Sequence, residues 1–166
     1  MKEKLNQFLI QNSHLSENER EEILKYFAIL QLKKNEFWIK KNEICNSIAF
    51  VVSGILRTIH EMDEEETTMQ FYYSDSFTGS LTSFVFQTPS IWSIQALTDC
   101  TLLIIERENH FKLVNEYKNW LEIYNVQLLK AYIDLENRIY SQFHLTSQER
   151  FIKLFSVRKK THYFKK

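Results

Sequence analysis

The spacing of hydrophobic residues changes period twice along the chain, from helical to alternating and back to helical. Over residues 1–12, Leu5, Phe8 and Leu9 fall on one side of a weakly amphipathic helix. Ser16 and Glu19 form a capping box, in which the serine accepts from a first-turn amide and the glutamate bonds back. The helix it starts is expected to run to about Ala28, with Ile23, Leu24 and Phe27 inward. From Gln31 the period becomes that of strands, with candidates at 37–39, 48–52, 55–62, 67–73, 91–97 and 101–106. In the third of these, Leu56, Thr58, His60 and Met62 alternate against Ile55, Arg57, Ile59 and Glu61. Short strands joined by polar turns, with no long helix between them, predict an antiparallel sandwich or barrel. No internal repeat is evident.

Helical spacing returns at 107–115 as a short helix and at 120–143 as a long one without glycine or proline. Within the long helix Leu121, Leu128, Tyr132, Leu135 and Ile139 follow a 3–4 repeat, interrupted by Asn125. Such a narrow apolar seam pairs helices in a coiled coil, so a homodimer is expected; packing on the chain's own β domain is the alternative. Thr146 and Glu149 make a second capping box, starting a helix with Phe151, Ile152, Leu154 and Phe155.

The stretch 77–106 holds one of only two glycines, Gly79, and the only proline, Pro89. A glycine turn opening a short helix, facing a strand that follows a proline, outlines a pocket. The lining expected by the family resemblance described below is Gly79, Ser80, Leu81, Ser90 and Ser93.

A length of 166 residues with 44% hydrophobic and 14% aromatic content fits one folded domain, or one domain with a small appendage. The 21 basic and 21 acidic residues cancel, so net charge indicates neither nucleic acid nor membrane. Locally, 63–66 is acidic and reads as a solvated turn, while 158–166 is a basic tail able to touch phosphates non-specifically. No apolar run has the length of a membrane span, and residues 1–30 show no signal-peptide pattern. Cys45 and Cys100 form no CxxC pair, which fits a cytoplasmic protein with buried thiols. The five histidines lack metal-ligand spacing, and no GxSxG, Walker or GxGxxG motif occurs, so neither a metal site nor an enzyme is expected.

Three patches occur in this order: Phe50-Val51-Val52-Ser53-Gly54-Ile55-Leu56-Arg57, Gln95-Ala96-Leu97-Thr98-Asp99-Cys100, and Thr146-Ser147-Gln148-Glu149-Arg150-Phe151. With the element order they resemble the Crp/Fnr family of bacterial transcription regulators, especially its Bacteroidetes-type members. The resemblance implies an α+β chain: an antiparallel β-roll of the double-stranded jelly-roll, cyclic-nucleotide-binding-like kind, flanked by helices, with a long C-terminal dimerisation helix. It also implies a sensor domain over 1–116, a dimerisation helix over 117–144 and the start of a truncated C-terminal domain over 145–166.

Two departures alter the functional expectation. In family members that bind cyclic AMP, the pocket runs Gly-Glu-Leu with an arginine shortly before the next strand. By that resemblance Ser80 stands at the glutamate position, and Ser90 or a close neighbour at the arginine position. Cyclic nucleotide is therefore disfavoured, and no cofactor is assigned. The pocket is expected to be filled by Phe84, Phe86 or Trp92, or to take another, less charged effector; Arg57 is the one conceivable substitute cation. The residues after Glu149 leave no room for a complete helix-turn-helix, so DNA is a partner only if that motif lies beyond this chain. The competing expectation is a stand-alone ligand-binding or interaction module.

Overall fold

A computed structural model describes residues 1–62, 65–150 and 152. It divides into two compact units, Met1–Ile123 and Tyr124–Lys166. The first unit opens with helices α1 (Lys2–Asn12) and α2 (Glu17–Lys25). The capping box of α2 forms: the Glu19 amide donates to Ser16 Oγ (3.3 Å) and the Ser16 amide donates to the Glu19 carboxylate (2.7 Å). This helix stops at Lys25, short of the expected Ala28, because the next residues are used in a strand.

That strand, β1 (Ala28–Leu32), is followed by β2 (Phe37–Ile39), β3 (Ser47–Ser53), β4 (Leu56–Met62), β5 (Glu65–Tyr72) and β6 (Phe77–Thr78). The short helix α3 (Leu81–Phe86), strands β7 (Ser93–Ala96) and β8 (Cys100–Glu106), and helix α4 (Arg107–Glu116) complete the run up to the long helix α5 (Lys118–His144). The strands make two four-stranded antiparallel sheets, ordered β1-β8-β3-β6 and β2-β7-β4-β5. The antiparallel sheets expected from the alternating stretches, and the β-roll implied by the resemblance, are thus formed. Two strands had no sequence expectation, β1 and the two-residue β6. Pairing of β1 with β8 over its whole length, Ala28↔Ile104 to Leu32↔Cys100, overrides the helical pattern that ran into it.

A short internal repeat also emerges. Lys33-Lys34-Asn35-Glu36 and Lys40-Lys41-Asn42-Glu43 form two like turns, each with its asparagine in the left-handed region (φ 71° and 72°). In each, the glutamate carboxylate accepts from the first lysine's amide, at 2.7 Å for Lys33 and 3.0 Å for Lys40. Asparagine tolerates that backbone region better than other side chains because its short amide can bond locally.

The sheets share one core, in which Phe50, Leu56, Ile94, Leu102, Leu103 and Ile105 are buried. Each such side chain contributes roughly 1.5–3 kcal/mol on leaving water. Helix α1 closes one side through Phe8, whose ring meets Phe50 at 5.3 Å and Phe77 at 5.6 Å. Trp120 and Ile123 are buried with this core, so the first unit runs past the expected boundary at 116 into the first turns of α5.

The second unit contains the rest of α5 and a new helical start. There the second capping box forms, with the Glu149 amide donating to Thr146 Oγ1 (3.3 Å) and the Thr146 amide to the Glu149 carboxylate (2.8 Å). Asp63 and Glu64, the apolar positions Phe151, Leu154 and Phe155, and the basic tail 158–166 lie outside the described residues.

Candidate functional site

Strand β6 brings the chain to Gly79, where an added Cβ would stand 3.3 Å from Ile48 Cγ2, so the backbone passes close to β3. Ser80 follows at the N-cap of α3, and its carbonyl accepts from the Phe84 amide at 2.8 Å. Its hydroxyl does not cap the helix. It lies 2.8 Å from Ser90 Oγ instead. Ser90 Oγ also accepts from the Trp92 amide (3.2 Å) and lies 2.8 Å from the Trp92 carbonyl. A hydroxyl has one proton and two lone pairs. Ser90 can therefore give its proton to only one of Ser80 and Trp92, and the two hydroxyls share a bond in either arrangement. Both serines are almost fully buried, at 4% and 1% exposed. Ser80 and Ser90 thus form a neutral, mutually satisfied pair.

The twin turns fix this pair from behind. The Asn42 amide donates to the Ser90 carbonyl (2.7 Å) and the Ser90 amide to the Glu43 carbonyl (2.8 Å). Six residues on, the Asn35 amide donates to the Ala96 carbonyl (2.7 Å) and the Ala96 amide to the Glu36 carbonyl (2.9 Å). The same device holds the chain at Ser90, ahead of β7, and at Ala96, its last residue.

Helix α3 is tied down equally firmly. The Cys45 amide donates to Ser83 Oγ (2.9 Å), and burial holds the Cys45 thiol above its ordinary pKa. Gln87 ends the helix in the left-handed region (φ 54°), its amide donating to the Ser83 carbonyl at 2.8 Å. Arg107 at the start of α4 donates to the free carbonyls of Phe84 (2.8 Å) and Val85 (3.2 Å), a cation at a helix C-terminus. Its guanidinium sits 4.8 Å from the Phe111 ring centroid. Phe84 packs on His110 (5.4 Å) and Phe111 (5.8 Å), and His110 meets Trp120 at 6.0 Å. Burial in this ring cluster pushes the His110 pKa down to about 4.

Strand alternation sorts the remaining residues onto two faces. The core face of the second sheet carries Leu56, Thr58 and His60, paired with Tyr72, Gln70 and Thr67 of β5 and, for Leu56 and Thr58, with Ala96 and Ile94 of β7. Thr58 Oγ1 donates to Tyr72 Oη at 3.2 Å. The His60 and Trp92 rings meet edge-on, 5.3 Å apart. The opposite face carries Arg57, Ile59 and Glu61, with Gln95 and Ser93 beside the first two. Arg57 is committed there, donating to Gln95 Oε1 (2.7 and 3.0 Å), Thr68 Oγ1 (3.2 Å) and Glu66 (2.8 Å). It cannot serve as the substitute cation of the pocket.

Of the expected lining, Gly79, Ser80 and Ser90 come together. Leu81 is exposed on the outer side of α3. Ser93 is buried on the opposite face, accepting from the Lys41 amide (3.0 Å) and donating to Glu61 Oε1 (3.4 Å). Of the expected fillers, Phe84 turns toward α4, Phe86 is 72% exposed, and Trp92 is half-buried beside His60. Thr58, His60 and Tyr72 had no functional expectation; the alternation in 55–62 grouped the first two but did not identify which face was interior.

Along α5, Leu121 and Leu128 are half-buried, while Tyr132, Leu135 and Ile139 are exposed. Leu129, Ile133, Tyr140 and Phe143 are exposed as well, which widens the apolar surface beyond the seam. Among the described residues, no group of three His, Cys, Asp or Glu side chains could hold a metal ion, and no helix is long and apolar enough to cross a membrane.

The cyclic nucleotide-binding domain family model matches residues 29–117. No curated protein matches the chain in sequence. Among solved structures, a cyclic nucleotide-binding domain from Methylobacillus flagellatus superposes with a TM-score of 0.71 at 11% identity, covering 85% of this chain and 81% of that one. The c-di-GMP responsive global regulator CLP of Xanthomonas campestris gives 0.70 at 18% identity, covering 85% and 71%. The catabolite activator protein of Thermus thermophilus gives 0.65 at 19% identity, covering 77% of this chain; the chain spans about three-fifths (61%) of that protein. At these identities the likeness is one of fold.

Proposed function

The chain belongs to the cyclic nucleotide-binding domain family, and from that premise we propose that it is the sensing and pairing part of a Crp/Fnr-type transcriptional regulator that does not take cyclic AMP in the usual way. The observation that carries this reading is the buried hydroxyl pair of Ser80 and Ser90, 2.8 Å apart, at the two positions where cyclic AMP-binding relatives are expected to hold a carboxylate and a guanidinium. Charge-assisted hydrogen bonds are worth roughly 1.5–3 kcal/mol each, so losing a bidentate arginine pair and a carboxylate contact removes several kcal/mol. At about 1.4 kcal/mol per tenfold, a micromolar site becomes millimolar or weaker.

The exposed apolar side chains of α5 support a homodimer paired along Leu121, Leu128, Tyr132, Leu135 and Ile139. DNA contact requires a reading element of the kind that Crp/Fnr regulators carry after this helix. The reading places the protein in the cytoplasm, with a regulatory and not a catalytic role. Calorimetric titration of the chain with cyclic AMP and cyclic GMP is the test. Heats indistinguishable from dilution at micromolar ligand are expected; a low-micromolar Kd for either overturns the reading.

A further inference from the structure

We infer that Asn125 decides how two copies of α5 pair: parallel, in register and two-stranded, with the two Asn125 side-chain amides bonded to each other across the seam. This deepens the reading above that the chain pairs along α5, and rests on it.

Written as a heptad abcdefg, the seam places Leu121, Leu128 and Leu135 at d and Asn125, Tyr132 and Ile139 at a. The chain's own packing leaves this seam free. Trp120 and Ile123, which are buried with the core of the first unit, stand at c and f on the other side of the helix. Leucine at d with a β-branched residue such as Ile139 at a favours two parallel strands.

Asn125 is the exception in that seam. It is exposed, and its side chain makes no hydrogen bond among the described residues. The other two asparagines of α5 are engaged: Asn119 Nδ2 donates to the His14 carbonyl (3.4 Å) and Asn137 Nδ2 to the Ile133 carbonyl (2.9 Å). Tyr132, the next a residue, gives its hydroxyl to Glu136 of the same helix. Of the six seam side chains, Asn125 alone brings a polar group that is still unmet.

A side-chain amide carries both donors and an acceptor, so two facing asparagines satisfy each other. A two-fold axis running along the seam sets a residue opposite its own copy. In an antiparallel pair a positions meet d positions, and Asn125 would face a leucine. A slip of one heptad would set it against Tyr132 of the second copy. Either arrangement strands an amide in an apolar layer, which is unfavourable. A single asparagine at a therefore selects register and strand number at some cost in stability.

The test uses the full chain. Light scattering and sedimentation equilibrium give the mass of the wild type, Asn125→Leu and Asn137→Leu, each checked for helix content by circular dichroism. Asn137 stands at the outer position f and serves as the control. Gln142→Cys, added to each, puts a thiol at the next d position. Under oxidised glutathione it joins two copies only where the helices run parallel and in register; Cys45 and Cys100 are buried. The wild type and Asn137→Leu are expected at twice the chain mass and joined through Gln142→Cys. Asn125→Leu is expected to gain heavier species or to lose part of the joined fraction. If Asn125→Leu stays wholly a dimer and joins as fully as the wild type, Asn125 sets nothing and the inference fails while pairing stands. If the wild-type dimer does not join through Gln142→Cys, the parallel register is wrong and the inference fails in the same way. If the wild type is a monomer, the pairing reading fails as well.

Discussion

Protonating His110 costs the fold a definite amount, because that ring sits fully buried between Phe84 of α3 and Trp120 of α5. Burial lowers its pKa from 6.5 to about 4, so the folded protein holds it neutral where the unfolded chain would already be charged. The folded pKa is the lower of the two, so the unfolded state binds more protons as pH falls. Stability is therefore full above pH 6.5 and is lost progressively down to about pH 4. One pKa unit is worth about 1.4 kcal/mol, so most of the shift is lost by pH 4.5, a cost of roughly 2–3 kcal/mol. Urea unfolding at pH 7.5 and at pH 4.5, followed by tryptophan fluorescence, measures the loss directly. His110→Phe keeps a ring of similar size and removes the titration. The wild type should lose roughly 2–3 kcal/mol more than the variant between the two pH values, since the carboxylates titrate alike in both and cancel. Parallel losses in the two proteins would refute the placement of a neutral His110 in the ring cluster. The same ring joins the helix behind the serine pair to the root of α5, so the experiment also probes how firmly those elements are locked.

Three further outcomes follow from the geometry. Ser90→Ala removes the bond shared with Ser80 and the acceptor for the Trp92 amide in a fully buried place, and should cost ~1–3 kcal/mol by chemical denaturation. Wild-type stability in this variant would mean the pair is not formed. Gly54→Ala puts a Cβ 2.5 Å from Cys100 Sγ and 2.6 Å from the Asp99 carbonyl at a φ of 93°, and should destabilise the chain by at least ~2 kcal/mol; an unshifted melting temperature contradicts it. Leu128→Asp with Leu135→Asp should give monomers by light scattering, and an unchanged mass would refute pairing along α5.

Period and turn chemistry made most of the fold legible. Candidate 37–39 coincides with β2, and 48–52 and 101–106 lie within β3 and β8, because β-branched alternation and Gly54 mark those strands clearly. Both capping boxes formed because they depend on residues three apart. What failed to show locally depended on distant partners. β1 reads as the tail of a helix until β8 is there to pair with it. The role of the twin Lys-Lys-Asn-Glu turns is invisible locally, because it lies in the bonds that their asparagine amides give to the distant Ser90 and Ala96 carbonyls. At the site, Ser80 and Ser90, singled out by the family resemblance, share a hydrogen bond. Ser93 was grouped with them because, within a strand, neighbours alternate and sequence alone does not say which side is interior. His60 was hidden for the same reason. His110 carried no signal, since one histidine in a polar helix reads the same whether it faces water or a ring cluster.

The central claim is that Ser80 and Ser90 satisfy each other where a carboxylate and a guanidinium would read the ribose and phosphate of a cyclic nucleotide. A crystal structure of the chain grown with millimolar cyclic AMP tests it most directly. The account predicts Ser80 Oγ and Ser90 Oγ still near 2.8 Å apart, with no phosphate between them and the start of α3. Density for a cyclic phosphate seated there, with the two hydroxyls parted to meet it, would contradict it.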